Sequence, residues 1–140
     1  MANIIIVGVD GNEPAEQAAG VAADLARATG AALHVVCAYA REQVAEVEFD
    51  DSTLQVSVAK ESADIAARAA KALGAGITTV TSTAAQGRPA EVLTAEAERL
   101  GASLIVIGNK RVQGLARVLG SVAAAVAQHA PCDVYIAHTN

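Results

Sequence analysis

A chain of 140 residues with a formal net charge of −5 suits one domain, expected over 1–140, because two cores would each bury too little apolar surface. Its hydrophobic share of 53% against 18% charged excludes a disordered chain, which could not offset its ordering entropy by burial. No apolar run approaches the ~20 residues that span a bilayer and no basic, cleavable leader opens the chain, so a soluble cytoplasmic protein without a membrane partner is expected.

Ile4-Ile5-Ile6-Val7 is a short continuous apolar run, suited to a strand covered on both faces as in a parallel sheet. Gly8-Val9-Asp10-Gly11 ends it, and Asn12 and Pro14 open an alanine-rich helix that runs to about Thr29 and is closed by Gly30. Ala32 to Tyr39 reads as a second buried strand. After an acidic stretch from Arg41 to Asp51, Ser52-Thr53-Leu54-Gln55 offers a capping box for a helix to about Leu73, stopped by Gly74-Ala75-Gly76. Ile77 to Thr83 is a third strand, more polar and therefore expected at a sheet edge.

Pro89 opens a helix ending at Leu100-Gly101, and Ser103 to Ile107 is a fourth, buried strand. A loop from Gly108 leads to a last helix from about Gly120 to Gln128, which Pro131 blocks from continuing, and Asp133 to His138 is a fifth strand. Strands alternating with helices predict an α/β fold: a single open parallel sheet, Rossmann-like, in the order 3-2-1-4-5 with helices on both faces.

In such a sheet a ligand lies beyond the carboxyl ends of the strands, where strand order reverses. Two loops are candidates, Val9-Asp10-Gly11-Asn12 and the segment from Gly108-Asn109-Lys110-Arg111 to Gly120-Ser121. The second has the parts of a phosphate site. Gly108 allows close backbone approach, Gly120-Ser121-Val122 presents helix N-terminal amides, and Lys110, Arg111 and Arg117 add charge. A plainer account is a glycine stop after the fourth strand and a serine N-cap on the last helix. Asp10 could accept from a ribose hydroxyl or cap the helix that follows it. Gly87 could let backbone approach a sugar, or mark an ordinary turn before Pro89.

Charge distribution points the same way. No Asp or Glu falls between Arg99 and Cys132, where Arg99, Lys110, Arg111 and Arg117 lie, while the remainder holds six basic against fifteen acidic residues. A basic island in an acidic chain suits capture of a compact anion and argues against nucleic acid. Phe49, Tyr39 and Tyr135, the only aromatics, give no stacking platform for single strands. Cys37 and Cys132 have neither redox nor zinc spacing and read as free, mostly buried thiols. Glu46, Glu48, Asp50 and Asp51 read as solvated surface rather than a metal site. His34, His129 and His138 have no indicated triad partner, and no hydrolase, metalloprotease, P-loop or dinucleotide fingerprint is present.

Together, Val9-Asp10-Gly11-Asn12, the run Gly101 to Asn109 and the tail from Leu119-Gly120-Ser121-Val122 through Pro131-Cys132-Asp133-Val134 resemble the universal stress protein family, over the whole chain. The resemblance implies the pattern of its ATP-binding branch, G-x-x-G, nine residues, then G-[ST]. Gly108 matches its first glycine and Gly120-Ser121 its last pair, but Arg111 stands at the second glycine and eight residues, Val112 to Leu119, follow it. By the same resemblance, Asp10, with Val9 and Gly11 beside it, would meet the ribose or adenine side. The backbone near Cys37 would read the adenine edge, Gly87 would approach the ribose, Val122 would line the phosphate end, and the last strand would pair with its twin in a homodimer.

The resulting expectation is a regulatory protein that binds an adenine nucleotide, ATP first with AMP and cyclic AMP as contenders, Mg²⁺ being a conceivable companion. Helix amides hold a phosphate readily, whereas hydrolysis needs a positioned water and usually a placed metal. An interaction dimer that binds no nucleotide is the alternative, favoured by Arg111 and the shortened loop. A weak ATPase or kinase ranks third.

Overall fold

The computed structural model describes residues 3–40, 51–110 and 119–139, with backbone alone for 51–57 and 110. In chain order these form β1 (Ile4–Gly8), α1 (Glu13–Thr29), β2 (Ala32–Tyr39), α2 (Asp51–Leu73), β3 (Val80–Gln86), α3 (Pro89–Leu100), β4 (Leu104–Lys110), α4 (Ser121–His129) and β5 (Asp133–Thr139). The five strands make one sheet in the order β3-β2-β1-β4-β5, and every pairing is parallel. The expected α/β architecture and strand order are therefore present.

Each face of the sheet carries its own core. Alternate side chains of a strand point to opposite faces, so Val7, Leu33, Val35 and Val106 pack under α1 and α2. Ile6, Val36, Ile105 and Ile107 pack under α3 and α4. The buried side of α1 is all alanine, at Ala18, Ala19, Ala22, Ala23 and Ala26. Side chains this short let the helix lie close over β1 and β4. Its C-terminus stops where Gly30 takes φ +76° and donates its N–H to Ala26 O at 2.9 Å, a left-handed cap natural to glycine.

Strand boundaries depart from expectation in β3, which spans Val80–Gln86 rather than Ile77–Thr83, and at the end of β4. β3 begins at Val80 rather than Ile77, because Ile77 donates its N–H to Gly74 O at 3.0 Å and closes a turn through Gly76 at φ +79°. The Ile77 side chain instead packs against the core beneath α1 and α2. β4 runs on past Ile107 to Lys110, since Gly108, Asn109 and Lys110 pair in register with Ala137, His138 and Thr139. Gly108 and Asn109 are thus strand residues, not the opening of a loop. β3 lies at a sheet edge as its polar sequence suggests, and β5 forms the opposite edge.

Candidate functional site

β1 and β4 are neighbours, while the connections leaving them run to opposite sides of the sheet. Their carboxyl ends therefore diverge from a common point, and a cleft of about 360 Å³ opens there. Gly8, Val9 and Asp10 at the end of β1 form one wall, and Ile107 and Gly108 of β4 another, with Thr139 of β5 beside them. Val36 and Ala38 of β2 close the apolar side.

Three helices begin at this cleft. It is lined by Asn12, Pro14 and Ala15 at the start of α1, by Pro89 of α3, and by Val122 of α4. In none of the three does the N-cap side chain accept from the helix. The starts are not equivalent. Pro14 and Pro89 remove amide donors from α1 and α3, and acidic Glu13, Glu16 and Glu91 stand in those first turns. The first turn of α4 has no acid, and its first intrahelical bond is Ala124 N–H to Gly120 O at 2.9 Å. Ser121, Val122 and Ala123 therefore have no carbonyl of their own helix to donate to. One end of the cleft is an anion-favouring helix terminus. The other is an apolar slot made by Val36, Ala38, Pro89 and Leu93.

Of the residues expected at a site, Val9, Asp10, Gly108 and Val122 line this cleft. Asp10 is exposed, and its Oδ1 accepts the Asn12 backbone N–H at 2.8 Å, so it shapes the turn into α1 without capping through Asn12's own side chain. Gly11 holds φ +86° in that turn, with Ile65 of α2 on its outer side. It belongs to a second hollow of about 440 Å³ between α1 and α2, where Arg68 and Glu16 stand.

Gly87 turns the chain at φ +145° and donates to Tyr39 O at 2.9 Å, with its neighbour-but-one Pro89 reaching the cleft. Cys37 sends its side chain to the opposite face, into the core under α1 and α2, while Val36 and Ala38 on either side of it face the cleft. Burial pushes the Cys37 thiol up, against an opposing hydrogen bond from Ser62. Cys132 is likewise free and half-buried.

Two expectations about the last helix change. Gly120, not Ser121, is the N-cap, and Ser121 is the first helical residue. The Gly120 N–H is moreover already taken, donating to Asn109 Oδ1 at 2.7 Å. Lys110 ends β4, and nothing is described of its side chain; Arg111 and Arg117 lie outside the described residues, as do Glu46, Glu48, Phe49 and Asp50. His34, for which the sequence indicated no partner, is buried between Thr81 and Glu96. Among the described residues no cluster of His, Cys, Asp and Glu could hold a metal ion, and no helix is long and apolar enough to cross a membrane.

The family model described as "Universal stress protein family" matches residues 1–138. The chain belongs to the universal stress protein family. Among its relatives, a universal stress protein of Mycobacterium tuberculosis is 31% identical, with 96% of this chain and 95% of that protein covered. The solved structure of the universal stress protein UspA from Lactobacillus plantarum shares the fold at a TM-score of 0.76 and 22% identity, covering 96% of this chain and 97% of that one. A universal stress protein solved in complex with cAMP is 29% identical, with a TM-score of 0.66 over 99% of this chain and 98% of that one.

The apolar part of this universal stress protein cleft escaped the sequence reading. Val36, Ala38, Leu93 and Thr139 carry no motif, and each lines the cleft through its position near a strand end or one helical turn past a proline. The readable signal was the alternation of faces along β2: with Cys37 turned to one core, its neighbours must turn to the other.

Proposed function

We propose that the cleft binds an adenine nucleotide, ATP, AMP or cyclic AMP, and that the protein acts by binding it rather than by turning it over. The observation that carries this reading is the two-ended character of the cleft. The acid-free start of α4 lies across from a slot of Val36, Ala38, Pro89 and Leu93. A nucleotide presents the matching pair, a flat base that gains by burial and a phosphate that gains from helix amides. In this reading Asp10 and Val9 meet the ribose, and Gly108, Ser121 and Val122 surround the phosphate. The related universal stress protein solved with cAMP supports the ligand class.

A binding role fits the chemistry available. The carboxylate at the cleft, Asp10, is spent in part on the Asn12 amide, and hydrolysis asks for a positioned water and usually a metal held by a placed acid. Mg²⁺ could then enter only with a triphosphate that brings its own ligands. The free edge of β5 offers a second copy of the chain a place to pair, with Tyr135 45% exposed there, so a homodimer through β5 belongs to the same proposal.

The alternative, an interaction dimer that binds no nucleotide, is favoured by one observation: Asn109 already occupies the Gly120 N–H. Calorimetric titration and thermal shift with each nucleotide separate the two. A ligand at about 100 times its Kd adds ~2.7 kcal/mol to stability, and Gly120→Asp, which sets a carboxylate at the start of α4, should abolish that gain while Gly120→Ala retains it. No stabilisation by any of the three nucleotides would leave the interaction dimer as the function.

A further inference from the structure

Outside the residues that line the cleft, on the α3 side of the sheet, a hydroxyl, an imidazole and a carboxylate stand in line. His34 of β2 pairs in register with Thr81 of β3. Its Nδ1 lies 2.6 Å from Thr81 Oγ1 and its Nε2 lies 2.9 Å from Glu96 Oε2 of α3. His34 is 5% exposed, whereas Thr81 is exposed on the edge strand. Glu96 is fixed in turn by Arg99, whose Nε and a terminal nitrogen donate to its two oxygens at 2.9 and 2.7 Å.

The direction of these bonds follows from what each group can do. An ionised carboxylate only accepts, so in the neutral imidazole the hydrogen sits on Nε2 and Nδ1 is left as an acceptor. Thr81 then donates its hydroxyl proton to Nδ1. A base bonded to a hydroxyl and oriented by a third group is the arrangement that activates oxygen nucleophiles. Here the base is buried and the hydroxyl belongs to an exposed residue.

We propose that Thr81 is an acyl-acceptor site, a hydroxyl that takes an acyl group from a small uncharged activated ester or thioester, with His34 as its base and Glu96 as a positioning residue. In the step, Thr81 Oγ1 bonds to the acyl carbon and the bond from that carbon to the leaving oxygen or sulfur breaks. The proton passes from Oγ1 to His34 Nδ1 and on to the leaving group, so no further reactant is needed. A neutral acyl donor is favoured over a phosphoryl donor, because the Glu96 carboxylate behind His34 would repel an incoming dianion. Thr81 lines neither the cleft nor the hollow between α1 and α2. The acyl group stays on Thr81, so the reaction is a single modification rather than turnover.

The full chain is treated with p-nitrophenyl acetate and the acetylated positions are mapped by peptide mass spectrometry over time. One acetyl group on Thr81 is expected, retained in Thr81→Ser and absent in Thr81→Val. His34→Gln should slow acetylation at that position at least tenfold, as should Glu96→Gln, which keeps an acceptor for Nε2 but removes the charge that stabilises the imidazolium. Should His34→Gln fail to fold, the Thr81→Ser and Glu96→Gln rates decide. Acetylation confined to lysines, or a rate at the Thr81 position unchanged in the folded variants of His34 and Glu96, overturns the proposal.

Discussion

The side-chain oxygen of Asn109 accepts the backbone N–H of Gly120 at 2.7 Å, tying the end of β4 to the start of α4. Asn109 is 8% exposed while Gly120 is exposed, so the bond is partly shielded from water and holds together two elements that the chain connects through residues 111–120. It does for the N-cap amide of α4 what the third-residue side chain of a capping box does elsewhere, with the acceptor supplied from a strand. Asn109→Ala should cost about 0.5–2 kcal/mol, the range for loss of a helix-capping side chain, read from urea unfolding midpoints. A loss within experimental error would mean that water replaces the asparagine.

Gly108 sets the depth of the cleft by keeping α1 close. A Cβ at this position would stand 3.3 Å from Ala18 Cβ, from Pro14 O and from Thr139 Cγ2 at once. No left-handed conformation is involved, so the restriction is one of space. Gly108→Ala should destabilise by about 1–3 kcal/mol through overpacking, and Gly108→Val by more. Because Pro14 lines the cleft, any shift of α1 that relieves the clash reshapes it. Equal stability of Gly108→Ala and the parent would show that α1 gives way freely.

Thr139 presents the opposite case, a side chain that the fold does not satisfy. It is 1% exposed, and its hydroxyl has no hydrogen-bond partner among the described residues. Valine has nearly the same shape and a strand preference of its own. Thr139→Val should therefore stabilise the unliganded protein by roughly 1 kcal/mol. A lower melting temperature would reveal that the hydroxyl is bonded in solution.

The strand order and the location of the cleft were legible because both follow from pattern: apolar runs of strand length, proline and glycine punctuation, and the reversal between β1 and β4. Boundaries were harder where an apolar residue served another purpose. Ile77 looks like a strand residue but plugs the core after a turn. Gly108 looks like a loop glycine but is needed where α1 crosses β4. The Asn109 to Gly120 bond and the His34 relay join residues eleven and more positions apart through side chains. Sequence periodicity has no signal for such pairs, since neither partner is marked by its own neighbours.

The acid limb of stability should pass through Glu96. Hydrogen bonds from Arg99, with a smaller contribution from His34, hold its carboxyl below the ordinary value of 4.5 against the opposing effect of burial. With the folded value below the unfolded one, the ionised form is the one favoured by folding. Its contribution is complete above pH 4.5 and is lost as pH falls from there through the folded value. Glu96→Gln lacks this titration. The stability difference between parent and variant, from urea midpoints, should shrink as pH falls below about 4.5. A difference that stays the same down to the onset of acid unfolding would mean that the shape of the Glu96 side chain, and not its charge, anchors α3 to His34.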